Sequence, residues 1–297
     1  MLISKLGEFG LIERIKRRIK VDSCVIKGIG DDCAVLPFNK DAYQLFTCDM
    51  IVEGVDFTPG QKPELIGRKA LAVSLSDIAA CGGLPRYALV SLGIQKKASV
   101  SLVDNILKGM LQLARRFKVH IVGGDISSAT ALTIDVSMIG EVKKKHLVLR
   151  NGAQLNDTIF VTGKLGGSLY GRHLRFMPRI EEARFLVTHF KLSSMIDISD
   201  GLLQDLSHIL KDSGVGAVLY EKSIPVHGDA RSFKEALSMG EDFELLFTVP
   251  KRYAQRLMAC CNNVTPIGHI VDKKFGLQLI NKLCKPKTIK IKGFTHF

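Results

Sequence analysis

The segment from Pro63 to Gly83 reads PELIGRKALAVSLSDIAACGG, and it organises the rest of the chain. Pro63 can open a helix, the apolar pattern then continues to Ala80, and Gly82-Gly83 ends it. Asp77 lies inside this apolar helix, where an ionised carboxylate is costly to bury unless a cation or a hydrogen-bond donor pairs with it. The segment therefore predicts a long apolar helix with one acid that needs a partner.

Four short acidic clusters lie at or just past the ends of other apolar runs, and most of them have glycine alongside. They are Gly30-Asp31-Asp32, Cys48-Asp49, Gly123-Gly124-Asp125 and Asp197-Ile198-Ser199-Asp200-Gly201. Glycine lets the backbone approach a ligand closely, and gathered carboxylates repel one another unless cations lie between them. Magnesium takes oxygen ligands and bridges to phosphates. The clusters therefore predict a metal-dependent enzyme that acts on phosphorylated compounds.

Each acidic cluster taken alone also has a structural interpretation. Asp beside Gly is common in turns, and Ser199-Asp200 is also typical of a helix cap. The segment Gly240-Glu241-Asp242-Phe243-Glu244 fits either a polar turn or a site. A Walker A motif is absent, since Leu165 follows Gly163-Lys164, and the protein-kinase motif set is absent as well. Phosphoryl transfer would therefore depend on positioning and charge neutralisation rather than on a protein nucleophile.

The composition is that of a globular protein with one large or two ordinary domains. The chain has 297 residues, of which 46% are hydrophobic and 24% charged. No apolar run approaches the roughly 20 residues of a membrane-spanning helix.

The seven cysteines form no CxxC pair, and the start lacks a secretory signal, so we expect a cytoplasmic protein with reduced thiols and no membrane partner. The net charge of +13 suits anionic partners, but Trp is absent and no RNA-binding motif is visible, so we expect no nucleic-acid partner.

Strand-like and helix-like patterns alternate along the chain, which is typical of α/β domains. In the first half we predict helices over 6–19, 63–80 and 99–117 and strands over 33–36, 43–47, 86–94, 119–122 and 132–139. In the second half we predict helices over 181–189 and 202–212 and strands over 157–162, 244–249, 264–267 and 277–280. No low-complexity linker separates the halves. We therefore expect two α/β domains, residues 1–142 and 143–297, that share an interface.

The motifs together resemble the thiamine-monophosphate kinase family, in the superfamily of aminoimidazole ribonucleotide synthetase. The matching segments run almost end to end: Gly7-Glu8-Phe9, Gly28 to Ala34, Asp49 with Val52 to Val55, Lys69 to Asp77, Gly123-Gly124-Asp125, Arg150 to Ala153, Ile196 to Gly201, Gly240 to Leu246 and Gly293 to Phe297. The glycine-aspartate loops alone would fit the wider superfamily. The Gly-Glu-Phe start, the Gly-Glu-Asp-Phe-Glu segment and the aromatic C-terminus favour this family.

The resemblance implies a two-domain α/β fold of the α+β type, aminoimidazole ribonucleotide synthetase-like, with homodimers formed through the N-terminal domains. It implies ATP-dependent phosphorylation of thiamine phosphate to thiamine diphosphate by direct in-line transfer at a site with several Mg²⁺ ions, K⁺ being a further candidate. The magnesium positions by match are Asp32, Thr47, Cys48, Asp49, Asp77, Asp125, Asp197 and Asp200. The ATP contacts by match are Gly124, Arg150 and Ser199, and the thiamine contacts are Asp56, Glu241 and Phe294.

This chain departs from the family pattern at three places. Asp56 stands where a substrate-contacting histidine is usual, Cys48 replaces a hydroxyl residue, and the stretch from Gly167 to His173 is shorter than usual. A thiol is a poor magnesium ligand, so Cys48 can serve only through its backbone carbonyl. Two alternatives therefore stay open: an ATP-using enzyme of the same superfamily with another acceptor, and a nucleotide- or thiamine-binding regulator without catalysis.

Overall fold

The N-terminal half of the computed structural model, which describes residues 2–291 and 293–295, is a five-stranded sheet with two long helices on one face. Its strands are β1 (Ala34–Pro37), β2 (Ala42–Val52), β3 (Leu84–Ile94), β4 (His120–Ser128) and β5 (Thr133–Lys143). Its helices are α1 (Ile3–Leu6), α2 (Glu8–Lys16), α3 (Pro63–Ala80) and α4 (Val100–Phe117). The strand order is β1-β2-β5-β3-β4, with β3 and β4 parallel and the other neighbours antiparallel.

The two faces of this sheet differ in character. On the inner face, Leu45, Ile134 and Val136 are buried beneath the helices, as the alternation along each strand requires. On the outer face, Met50 and Leu89 are exposed. The outer face therefore carries apolar side chains that the described chain leaves uncovered.

The C-terminal half is a seven-stranded mixed sheet with its own helices. Its strands are β6 (Thr158–Thr162), β7 (Ser194–Asp197), β8 (Gly216–Tyr220), β9 (Leu245–Val249), β10 (Val264–Val271), β11 (Leu277–Ile280) and β12 (Pro286–Thr288). Its helices are α5 (Ile180–His189), α6 (Leu202–Ser213), α7 (Phe233–Ser238) and α8 (Lys251–Cys260). The strand order is β12-β11-β8-β10-β6-β9-β7.

Helix α3 lies between the two halves and joins them. Its apolar side chains belong to one hydrophobic core with residues of both halves, including Leu71 and Phe247. Arg68 of α3 also donates to the backbone carbonyl of Arg175 at 3.1 Å. The predicted α/β class and the shared interface are confirmed. The boundary at residues 142/143 stays a prediction, and β5 ends at Lys143.

Several element predictions were incomplete. The predicted helix over 6–19 is divided at Gly7, which has a φ of 72°, and it ends at Lys16. Strands β2 and β4 extend well past the ends predicted for them, so Asp49 and Asp125 lie within strands rather than in loops after them. Polar residues and glycine hid these extensions, because both are unusual in a strand interior. Among the described residues no helix has both the length and the apolar character needed to cross a membrane.

Candidate metal and nucleotide site

Three carboxylates from different parts of the chain, two of them buried and that of Asp77 half-buried, meet between the two halves. Asp32 comes from the loop before β1, Asp77 from α3 and Asp197 from the last position of β7. One carboxylate oxygen of each lies within 4.8 Å of the others. The structure thus brings together three acids that are far apart in sequence, and it places two on one half and one on the other.

Hydroxyl groups beside these acids fix their orientation. The Ser76 hydroxyl donates to Asp197 at 2.6 Å, and the Ser74 hydroxyl donates to Asp49 at 2.7 Å. The Thr47 hydroxyl donates to Asp77. Because side chains alternate along β2, Thr47 and Asp49 both point toward α3. Helix α3 therefore supplies Asp77 together with the donors that hold acids of both halves.

The cluster is electrostatically unfavourable without a cation. Burial, reinforced by neighbouring carboxylates, raises the pKa of Asp49 to about 6 and that of Asp197 to about 7. Burial and the nearby charge of Asp49 also raise the pKa of Asp77 well above its usual range. Bound cations remove this repulsion, so the site stabilises an ionised cluster only in combination with positive charge.

Arg150 supplies part of that charge. Its guanidinium donates to Asp32 Oδ1 through Nη2 at 2.6 Å and through Nε at 3.2 Å. Burial disfavours the charged guanidinium, but the pairing with Asp32 outweighs burial and raises the Arg150 pKa. Asp31 accepts from the Arg150 backbone N–H at 3.3 Å and pairs with Lys27 at 3.2 Å, so it helps to position Arg150.

The second oxygen of Asp32 identifies a place for a metal ion. Asp32 Oδ2 is buried and has no hydrogen-bond partner among the described residues. A buried, unpaired carboxylate oxygen is costly. Oxygen donors in this number suit a hard divalent ion such as magnesium, so the residues present fit the predicted metal.

The loop after β7 places Ser199 and Asp200 at the edge of the cluster. The N-cap of α6 is Gly201, without a side-chain cap hydrogen bond, rather than Ser199 or Asp200. Asp205 instead accepts from the backbone N–H groups of Asp200 at 3.1 Å and Gly201 at 2.9 Å. Oxygens of Asp200 and Asp205 and a ring nitrogen of His208 lie within 4.8 Å of one another. The sequence did not indicate Asp205, since the polar pair ahead of the helix was the more obvious cap.

Asp125 is not brought to the cluster within one chain. It is opposite Ser91, which is opposite Asp135, whereas Asp49 is opposite the buried Val136. Since paired residues share a face, Asp125 and Asp135 lie on the outer face of the sheet and Asp49 on the inner face.

Cys48 and Gly124 flank these positions. The Cys48 thiol lies on the outer face, where it donates to Asp135 at 3.1 Å. It therefore points away from the cluster, which agrees with the expectation that the thiol itself is not a magnesium ligand. A side chain at Gly124 would place its Cβ 1.7 Å from the Val90 carbonyl oxygen. The close approach of β4 to β3 therefore requires glycine there.

The predicted thiamine contacts gather at a neighbouring place. Glu241 pairs with Lys69 of α3, and the Lys69 ammonium also donates to the Asp56 carbonyl oxygen at 2.6 Å. The Phe294 backbone N–H donates to the Asp200 carbonyl oxygen at 3.0 Å, which brings the C-terminal segment to the cleft. The structure therefore places Asp56 beside Glu241 and anchors Phe294 near the acidic cluster.

The acids of the segment Gly240 to Glu244 have unequal roles. Asp242 accepts from Arg172 at 2.7 Å, and Glu244 accepts from Arg179 at 2.6 Å, so both hold the loop within the C-terminal half. Glu241 alone pairs across to the N-terminal half. Both structural and site interpretations of this segment therefore apply, but to different residues.

Sequence reasoning missed Lys69, Ser74 and Ser76. Each is a polar residue inside the apolar helix that contains Asp77, and this was the signal that could have found them. Ser74 and Ser76 are two residues apart and so face different neighbours, one toward β2 and the other toward β7.

Comparison with known proteins gives the family that the sequence motifs resemble, over nearly the whole chain. A family model described as AIR synthase related protein, N-terminal domain, matches residues 30–142, and the corresponding C-terminal domain model matches residues 151–280. The thiamine-monophosphate kinase of Bacillus subtilis is 35% identical over 98% of this chain and 100% of its own length. That of Aquifex aeolicus is 33% identical over 100% of both. A solved structure of AaThiL complexed with AMPPCP and TMP is 32% identical, with a TM-score of 0.89 over 100% of this chain and 99% of that chain.

Proposed function

Because this chain belongs to the thiamine-monophosphate kinase family of AIR synthase related proteins and is therefore a kinase, we propose that it phosphorylates thiamine phosphate with ATP. The products are thiamine diphosphate and ADP. The observation that carries the proposal is the cluster of Asp32, Asp77 and Asp197 between the two halves, with one buried oxygen that needs a cation. The complex of the similar AaThiL with AMPPCP and TMP supports the choice of both substrates.

The acidic cluster is the proposed triphosphate end of the cleft. The residues that would hold magnesium in one chain are Asp32, Thr47, Asp49, Asp77, Asp197 and Asp200, with the backbone carbonyl of Cys48. When bound, magnesium neutralises the charges of the triphosphate and of the acceptor phosphate, two anions that otherwise repel. Arg150 binds phosphate through its planar guanidinium, and Ser199 and Gly124 contact ATP from their loop and strand.

Asp125 is retained as a proposed magnesium ligand, although it lies on the outer face of its own chain. We propose that the protein forms a homodimer through the N-terminal domains, which would enclose the outer face that carries Asp125. Exposed apolar residues on or beside that face, among them Met50, Leu89 and Val122, support a second copy as the partner. Their exposure in one chain is the reason to expect a dimer.

The transfer is proposed to be direct and in line, without a covalent enzyme intermediate. The attacking group is an oxygen of thiamine phosphate that is already ionised, so a protein base is not needed. The chain's contribution is to align the two phosphates and to exclude water from the space between the halves. No residue is assigned as a nucleophile, and the rate enhancement comes from positioning and charge.

The acceptor end of the cleft is proposed to lie at Asp56, Glu241 and Phe294. The two carboxylates face a substrate with a cationic thiazolium ring, and the Phe294 ring offers a flat apolar surface for such a cation. We place the reaction in the cytoplasm, because all seven cysteines are free thiols, as expected in a reducing compartment.

A panel of acceptors tests this proposal. Purified protein is incubated with ATP, magnesium and, separately, thiamine phosphate, thiamine or aminoimidazole compounds, and both ADP and the phosphorylated product are measured. We expect multiple turnovers when thiamine phosphate is the acceptor and none with the other acceptors. Turnover with another acceptor and none with thiamine phosphate would favour the different enzyme of the same superfamily. Binding of both ligands without ADP release would favour the regulator.

A further inference from the structure

We propose that Lys69 is a positioning residue for the acceptor: its ammonium holds the Glu241 carboxylate at the thiamine end of the cleft and thereby sets the affinity for thiamine phosphate. This inference rests on the proposed function. Lys69 lies outside the acidic cluster, and it acts on the substrate through Glu241 rather than by its own contact.

The surroundings of Lys69 are unusual for a lysine. Its side chain is 0% exposed, and lysine is almost never fully buried unless its charge is paired. Its ammonium binds two groups: the Glu241 carboxylate from the C-terminal half and the Asp56 carbonyl oxygen from the loop after β2. One cation of α3 therefore connects the two segments that are proposed to contact thiamine.

The backbone at Glu241 needs such support. Glu241 has a φ of 59°, a left-handed conformation that is uncommon for residues other than glycine. Its N–H donates to the Ser199 carbonyl oxygen at 2.6 Å, and the Ser168 hydroxyl donates to its carbonyl oxygen. The backbone is thus fixed at both polar groups, while Lys69 fixes the side chain. The Glu241 carboxylate is consequently held in one place before the substrate arrives.

The two carboxylates of the acceptor end are held by different groups. The Asp56 carboxylate accepts from the Val52 backbone N–H at 2.7 Å, so Asp56 is held in its turn without help from Lys69's charge. Only the Glu241 carboxylate therefore pairs with the buried ammonium, because Lys69 reaches Asp56 through its backbone carbonyl oxygen. The Glu241 side chain keeps 20% exposure while that of Lys69 has none, which leaves the acid, not the base, available to a cationic ring.

Loss of Lys69 should therefore weaken the binding of thiamine phosphate and leave the binding of ATP nearly unchanged. We expect Lys69→Met to raise the KM for thiamine phosphate about tenfold or more, as is typical when one partner of a buried pair is removed, with the KM for ATP changed less than about twofold. Lys108→Met is the matched control, since Lys108 pairs with Glu64 of the same helix α3 at 3.6 Å but is exposed. It should leave both KM values unchanged.

A double-mutant cycle with Glu241→Gln separates positioning from a general structural role. If Lys69 acts through Glu241, the double variant should have the same KM for thiamine phosphate as Glu241→Gln alone, because the carboxylate that Lys69 orients is already gone. This comparison holds even if Lys69→Met alone folds poorly, because the double variant buries no unpaired charge.

The outcomes distinguish the inference from the proposed function. Wild-type protein that fails to phosphorylate thiamine phosphate would end the proposed function itself. Active wild type with an unchanged KM for thiamine phosphate in Lys69→Met would overturn only the role of Lys69. An additive increase in the double variant, or an equal rise in both KM values, would also overturn it.

Discussion

Replacement of Asp49 by asparagine should greatly reduce activity and at the same time stabilise the metal-free protein. Asparagine has nearly the same shape and can still accept the hydrogen bond that Ser74 donates to Asp49 at 2.7 Å. It removes one negative charge from the proposed magnesium site. We expect kcat/KM for thiamine phosphate to fall about 10³-fold, the size of effect seen when one preorganised electrostatic group is lost.

The expected gain in stability follows from the Asp49 pKa. Burial raises that pKa from 3.8 to about 6, so the ionised form is less favourable in the folded protein than in the unfolded chain. The full shift corresponds to about 3 kcal/mol, and we expect about 1–3 kcal/mol because Asp49 keeps some contact with solvent. A raised pKa of an acid costs stability above the folded pKa and costs nothing below the unfolded one. The gain in Asp49→Asn should therefore be complete at pH 8 and should fade as the pH falls toward 4.

Two measurements check the expected loss of activity and the expected gain in stability. Turnover is followed with magnesium and ATP, and thermal unfolding is followed in a chelator at pH 8 and pH 5. Asp104→Asn, an exposed substitution on α4, is the control and should change neither quantity. Undiminished turnover in Asp49→Asn would refute the metal-site reasoning, and a metal-free protein that is less stable at pH 8 would refute the electrostatic reasoning.

Three further predictions concern the metal, the dimer and the sheet. The pKa values of Asp197 and Asp49 are raised to about 7 and about 6, so protons should compete with magnesium for these carboxylates. Calorimetry should therefore find that the affinity for magnesium is about twentyfold weaker at pH 6 than at pH 8. An affinity independent of pH would contradict this. Leu89→Arg places a charge on the exposed apolar face, so sedimentation should show a monomer where the wild type is a dimer, and an unchanged dimer would exclude that face as the interface. Gly124→Ala would force a Cβ to within 1.7 Å of the Val90 carbonyl oxygen, so thermal unfolding should show a loss of about 1–3 kcal/mol, and an unaltered melting temperature would disprove the close approach.

The parts of the fold that follow local rules were predictable from the sequence. Helix α3 has a proline at its start, an apolar interior and glycines after its end, and the structure forms it over Pro63–Ala80 as predicted. Strand β4 was harder, because Gly123-Gly124-Asp125 is typical of a turn. Its strand conformation depends on pairing with β3, which is distant in sequence, and on a backbone approach that only glycine permits.

The candidate site shows the same division. The unusual position of Asp77 in an apolar helix indicated a site residue from the sequence alone. The structure brings its carboxylate to within 4.8 Å of those of Asp32 and Asp197. The role of Lys69 could not be predicted, because its partner Glu241 is 172 positions further along the chain. Which face of a strand carries an acid likewise depends on the register, so the separation of Asp125 from Asp49 emerged only in the structure.

The most direct test of the central claim is the stoichiometry of a single reaction. Purified protein is mixed with ATP and thiamine phosphate, with magnesium or with a chelator in its place, and ADP and thiamine diphosphate are quantified together over time. We expect the two products to accumulate in equal amounts over many turnovers with magnesium, and neither to form in the chelator. ADP that forms without thiamine diphosphate, or thiamine diphosphate that forms equally well in the chelator, would contradict the assignment of this site.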